Sequence, residues 1–299
     1  MRSFEKLLVC ASEAGNPAVI IATRLAAPSG ASITLAATIE EIPPQLRAQL
    51  PAGWDVEELV KNRKQQILKR AASRVRRSGV LPETVLLDGP PVAALVAEVE
   101  RGGYDLVVVS APGTGIVDLT DTSAARLVRD CPRPVLLART PRRRRTPRIL
   151  VAVDADPLRD RKVDALSATL IESALWIAEQ VGGEVHVLHV WLSYGDGPMR
   201  WAGVAPAALR EYHDTAEKAV VEELEKVIAP YRKRIARSGV HVRMGDPRKM
   251  ISAFAVETRA SLIVIGTVAR SGLAGRILGN TAEVLLGKLP CSMLVVRPE

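Results

Sequence analysis

Residues 148–153 read Arg148-Ile149-Leu150-Val151-Ala152-Val153, and residues 6–11 read Lys6-Leu7-Leu8-Val9-Cys10-Ala11. Each is a basic residue followed by a short apolar run, and each run opens the same series of patterns. An Ala-rich helical stretch comes next, about 16–28 and 166–182. A second apolar run comes after it, Ser32-Ile33-Thr34-Leu35-Ala36-Ala37 or Glu184-Val185-His186-Val187-Leu188-His189-Val190. Then come a loop and a long charged helix, about 54–78 and 207–238. Both are expected to end on the words Arg77-Ser78-Gly79-Val80 and Arg237-Ser238-Gly239-Val240, with glycine as the C-cap.

The later elements repeat as well. Third runs end at Asp88-Gly89-Pro90 and Gly245-Asp246-Pro247. Fourth runs are Leu106-Val107-Val108-Val109 and Leu262-Ile263-Val264-Ile265. Last runs are Pro134-Val135-Leu136-Leu137-Ala138-Arg139 and Cys291-Ser292-Met293-Leu294-Val295-Val296-Arg297. Near-continuous apolar strands alternating with helices predict parallel sheets buried on both faces. The expected architecture is α/β, two doubly wound five-stranded units in tandem, related by a pseudo-twofold axis. The expected divisions are 1–140, a linker over 141–147, and 148–299. The final strand of each unit would be an edge with unpaired backbone groups, so the two edges are expected to meet.

The chain has 299 residues, of which 47% are apolar, enough for two packed cores. No stretch approaches the roughly 20 apolar residues of a membrane span, and the N-terminus is a poor secretory signal, so the expectation is a cytoplasmic protein. Cys10, Cys131 and Cys291 stand far apart without metal-ligand spacing and read as buried thiols. The net charge of +8 is concentrated: residues 142–148 hold five arginines and no acid, while 1–141 and 149–299 carry only +2 and +1. Neither unit is itself basic, and aromatics are 3%, which argues against a dedicated nucleic-acid domain. The Arg142–Arg145 run is read as a solvated linker, as a contact for acidic partners, or as a device that sets the two halves against each other.

The chemistry is sought after the fourth strand of the second half, in Gly266-Thr267-Val268-Ala269-Arg270-Ser271-Gly272-Leu273-Ala274-Gly275-Arg276-Ile277-Leu278-Gly279-Asn280-Thr281-Ala282-Glu283. Glycines let backbone amides converge on an anion, and a helix opening near Asn280 turns its free amides the same way. Arg270 and Arg276 would add charge to a phosphate site. With strand order 3-2-1-4-5 the ligand crevice lies between the first and fourth strands, and Asp154 stands at the end of the first. A carboxylate for ribose facing an amide cradle for phosphate suits a nucleotide. The same residues also make a capping box, Asn280 with Glu283, which needs no ligand.

This segment resembles the signature of the universal stress protein family: Gly, two residues, Gly, nine residues, Gly, then Ser or Thr. Gly266 and Gly279 match; Ala269 stands for the second Gly and Asn280 for the hydroxyl residue, with Thr281 next. The run 149–154 and the end, 290–297, resemble the family too, and the tandem layout is similar to the E-type members. The resemblance implies a flavodoxin-like fold and an ATP or AMP held by Asp154, Gly266, Thr267, Ala269, Arg270, Gly272, Gly275, Arg276, Gly279, Asn280 and Thr281, with no metal site of its own. In the first half Ser12 replaces the acid, the loop lacks the closing glycine, and Asp118 and Asp121 would repel phosphate, so nucleotide is expected in the second half only.

No nucleophile, base or metal motif is present, so with the family resemblance a non-catalytic stress-response protein is expected, with a slow ATPase as an alternative for which no general base can be named. The alternatives are a ligand-independent scaffold and a binder of a more apolar ligand. His186 and His189, three apart on one strand, are expected on opposite faces, buried and hydrogen-bonded, while His213 and His241 show no partner motif. Trp191, Tyr194 and Trp201 read as a lid or as interface packing. The charges of the long helices, such as Glu222-Glu223 with Lys226, read as a solvated face. The oligomeric state is left open, a homodimer included.

Overall fold

The computed structural model describes residues 3–12, 16–40, 55–111, 121–140, 145–155, 161–267, 280–286 and 291–298, with positions 42, 45 and 49; at 121, 122, 161–164 and 280 it describes the backbone only. The first half contributes β1 (Lys6–Cys10), α1 (Pro17–Ser29), β2 (Ser32–Ile39), α2 (Val56–Arg76), β3 (Glu83–Asp88), α3 (Pro91–Gly102), β4 (Leu106–Ser110), α4 (Asp121–Asp130) and β5 (Val135–Ala138). The second contributes β6 (Arg148–Val153), α5 (Arg161–Val181), β7 (Glu184–Trp191), α6 (Asp196–Trp201), α7 (Pro206–Ile228), a 3₁₀ turn (Ala229–Tyr231), β8 (Val240–Met244), α8 (Pro247–Glu257), β9 (Leu262–Gly266), α9 (Asn280–Leu286) and β10 (Ser292–Val296).

The ten described strands form one sheet in the order β3-β2-β1-β4-β5-β10-β9-β6-β7-β8. Within each half the order is therefore 3-2-1-4-5 and every pairing is parallel. The halves join where the two last strands pair antiparallel, Leu136 opposite Leu294 and Leu137 opposite Met293. The edges expected to meet do meet, which leaves β3 and β8 as the sheet edges among the described residues. Those two are half-exposed and carry Glu83, Asp88 and Arg243, polar edges that discourage further strand addition.

Helices cover both faces of the sheet. One layer packs Val19 and Leu25 of α1, Ile67 and Val75 of α2, Leu170 and Trp176 of α5, and Leu224 of α7 against alternate strand residues such as Leu7, Val9 and Val151. The other packs Leu95 of α3, Leu127 of α4, Phe254 of α8 and Leu285 of α9 against Leu8, Val107 and Ile263. The alternation follows from the two-residue period of a strand. Contacts in both layers cross between the halves. Phe4 meets Trp176 edge-on at 5.1 Å between ring centroids. Arg297 donates to the carbonyl of Cys131 at 3.1 Å. Glu283 places its Oε1 3.7 Å from the Arg129 guanidinium, so a residue expected to close a capping box on Asn280 points toward the other half.

One expected boundary is corrected. The first long helix ends at Arg76, with Gly79 left-handed at φ 81°. The second ends ten residues short of Ser238, at Ile228. Pro230 has no N–H to continue the helical ladder, so the chain passes through a 3₁₀ turn instead. Gly239 is then no helix cap. It sits close against the Val185 carbonyl, 2.8 Å from where a Cβ would stand.

Candidate functional site

The reversal of strand order in the second half falls at β6, which has β7 on one side and β9 on the other. This is where an open parallel sheet presents a crevice beyond its C-terminal strand ends. Val151 is level with Val264. Asp154 directly follows β6 and Thr267 directly follows β9, each three residues beyond that pair. Asp154 is half-buried and its carbonyl accepts from the Ser167 hydroxyl at 3.3 Å, which ties the strand end to α5. The next amide, Ala155 N, donates to Nδ1 of His189 at 3.1 Å. His189 is thereby a support for the turn that carries Asp154.

Gly266 closes β9. A Cβ there would stand 2.6 Å from Cδ2 of Leu166, a buried residue of α5. The glycine therefore has a packing reason, in addition to any approach of a ligand. Thr267 is buried and its amide donates to the Val296 carbonyl at 3.1 Å. Asn280 and Thr281 open α9. Ala269, Arg270, Gly272, Gly275, Arg276 and Gly279 lie outside the described residues, as do Arg142, Arg143 and Arg144. Among the described residues no group of His, Cys, Asp or Glu is arranged to hold a metal ion, and no described helix is long and apolar enough to cross a membrane. The three cysteines are buried and form no disulfide, and burial pushes the Cys131 thiol up to about 11.

The profile of the "Universal stress protein family" matches residues 3–139 and again 146–297. The chain belongs to this family. It is 32% identical over 216 residues to the Universal stress protein E homolog of Haemophilus influenzae, a match covering 69% of this chain and 66% of that one. It is 31% identical over 221 residues to Universal stress protein E of Escherichia coli K12, covering 70% and 66%. The matches thus span just under two thirds of those relatives' length. In fold it is similar to a functionally unknown protein of Pseudomonas aeruginosa, with TM-score 0.74, 22% identity and coverage of 99% and 93%. A universal stress protein of Archaeoglobus fulgidus gives TM-score 0.64, 19% identity and coverage of 98% and 96%.

Three side-chain readings change with the fold in view. Trp191 is buried in the sheet, while Tyr194 is exposed and Trp201 at the end of α6 is 92% exposed, so neither of these last two is packed between the halves. His241 and His213 do have partners: His186 Nδ1 lies 3.1 Å from His241 Nε2, and His213 Nε2 lies 2.9 Å from Asp196. His186 and His189 stand on opposite faces, with His189 bonded at the crevice side and His186 facing the layer of Phe254.

The third concerns the first long helix, whose described acids, Glu57 and Glu58, are confined to its first turn. Between Lys61 and Gly79 it carries eight cations and no acid. Arg63, Arg70, Arg74 and Arg77 recur at intervals of seven, four and three, which puts them on one stripe of the helix. That spacing was readable; its meaning depended on what the stripe faces. It faces a groove of about 410 Å³ beside the N-terminal turn of α1.

Proposed function

We propose that the second half binds an adenine nucleotide, ATP or AMP, at the C-terminal ends of β6 and β9, as a non-catalytic ligand-binding member of a stress response. What supports this reading is the strand-order reversal at β6, where Asp154 directly follows β6 and Thr267 directly follows the neighbouring β9. An acid fixed by the Ser167 and Ala155 contacts suits ribose hydroxyls. Gly266 and Thr267 begin the glycine-rich segment, and Asn280 ends it at α9. The phosphates would fall to the amides of 269–281 with Arg270 or Arg276. In the first half the equivalent of Asp154 is Ser12, since Val9 pairs with Val108 as Val151 pairs with Val264. A hydroxyl supplies no charge for ribose, so nucleotide is assigned to the second half alone.

Calorimetric titration of the full chain with ATP and AMP tests the reading. Micromolar affinity is expected, about −8 kcal/mol. Asp154→Asn weakens it about tenfold, and Gly279→Asp abolishes it by setting a charge against phosphate. Ala269→Gly tightens it by restoring freedom at φ > 0. No binding by either the natural chain or Ala269→Gly would leave the scaffold or apolar-ligand reading in its place.

A further inference from the structure

The groove between α1 and α2 in the first half has an apolar floor and a charged rim. Val19, Ile67 and Ala71 form the floor, all buried. Ser12, which also lines it, is 5% exposed, and its hydroxyl has no hydrogen-bond partner among the described residues. A buried hydroxyl left unpaired is costly, and one that lines a groove is placed to bond what enters it. Asn16, beside it, is occupied: its Oδ1 accepts from Val19 N and its Nδ2 donates to the Ser12 carbonyl. The rim is Arg63, Lys69, Arg70, Arg74 and Arg77, with no carboxylate among the described residues that line the groove. Arg70, Arg74 and Arg77 have no acid partner among the described residues. Like charges at i, i+4 and i, i+3 repel, so this stripe destabilises its own helix when no anion is near.

We propose that this groove is a second ligand site, for a small organic phosphate with an apolar body. The body lies on Val19, Ile67 and Ala71, the phosphate lies between the Arg70 and Arg74 guanidiniums, and Ser12 bonds a polar atom of the ligand. Neighbouring arginines one turn apart can bracket one phosphate with charge-assisted bonds. The volume is that of a small-molecule pocket. A groove lined by a buried hydroxyl favours a small ligand over a polymer, which would need only the exposed charges. The site owes nothing to the glycine segment of the second half.

The probe is 1-naphthyl phosphate, titrated by its fluorescence into the full chain, with 1-naphthol and inorganic phosphate as partial ligands. The naphthyl phosphate is expected to bind at least about tenfold tighter than either part. Arg70→Gln with Arg74→Gln removes about tenfold or more. Arg24→Gln with Arg76→Gln, which takes away the same charge from exposed positions that do not line the groove, changes binding less than about twofold. Ser12→Ala weakens the probe while leaving the melting temperature equal or higher, because an unpaired buried hydroxyl has been removed. Gly279→Asp leaves naphthyl phosphate binding intact, so failure here and failure at the second-half site are separate results. Equal losses in the two double variants would overturn the proposal. So would binding of 1-naphthol as tight as its phosphate, or tight binding confined to RNA oligomers or phosphatidylserine vesicles.

Discussion

His186 Nδ1 lies 3.1 Å from His241 Nε2, with the two rings stacked and His241 resting on Phe254. One ring must donate and the other accept, so a proton added to both breaks the bond. Burial holds both below the usual histidine value, and His241, near His186, Arg243 and Arg148, falls to about 4. Glu184 opposes the shift at His186.

The folded chain therefore holds fewer protons than the unfolded chain between about pH 6.5 and 4. Stability from this pair is fully present above 6.5 and is lost as pH falls toward 4. Urea unfolding at pH 7 and pH 5 is expected to differ by roughly 1–2 kcal/mol through His241. His241→Gln, which keeps a donor and an acceptor, should flatten that slope. An unchanged slope in the variant would show that other groups set it.

The antiparallel pair Leu136 and Leu294 is the centre of the joined sheet, with both side chains essentially inaccessible to solvent. Leu294→Asp puts an unpaired carboxylate there and should cost more than about 3 kcal/mol in a denaturation curve. Leu294→Ile, which keeps volume, should cost less than about 1.5 kcal/mol. A small loss from the acid would mean that the halves fold without this junction.

Gly266→Ala sets a methyl group against Leu166. Overpacking of this kind is expected to cost about 1–3 kcal/mol. Adding Leu166→Val should recover part of the loss, giving a coupling that independent sites would lack. If Gly266→Ala were neutral for stability yet weakened ATP, the glycine would belong to the ligand alone.

Changing Arg142, Arg143, Arg144 and Arg145 to Ser should leave unfolding free energy within about 0.5 kcal/mol if the run is a linker. If the run instead binds polyanions, heparin or RNA affinity should fall and lose part of its salt dependence. A melting temperature lower by many degrees would instead assign the run to the joint between the halves.

Much of the molecule was legible because repetition is a property of sequence. The matched runs at 6–11 and 148–153 and at 134–139 and 291–297 sufficed for two parallel-stranded units, since parallel strands buried on both faces must be apolar throughout, and the family resemblance supplied the strand order. Asp154 and Gly266 could be named from the ends of those runs. What failed were local readings that ignored neighbours. The helix-capping word before Gly239 was overruled by Pro230, two of the three aromatics after β7 stand exposed instead of packing between the halves, and His241 gained its partner across a strand pair that no motif announces.

The sequence by itself determined the two halves, their five strands each and the family, because each is written in periodicity or motif spacing along one chain, and the family resemblance implied the strand order and the acid's place at its reversal. The tertiary structure decided which surfaces those elements face. It paired Leu136 with Leu294, turned Glu283 toward Arg129, and laid the arginines of α2 along a groove that Ser12 also lines. The physical reason is range. Helical and strand periods act over a few residues, whereas the partner of a buried hydroxyl or an exposed cation is set by packing between segments tens to hundreds of residues apart.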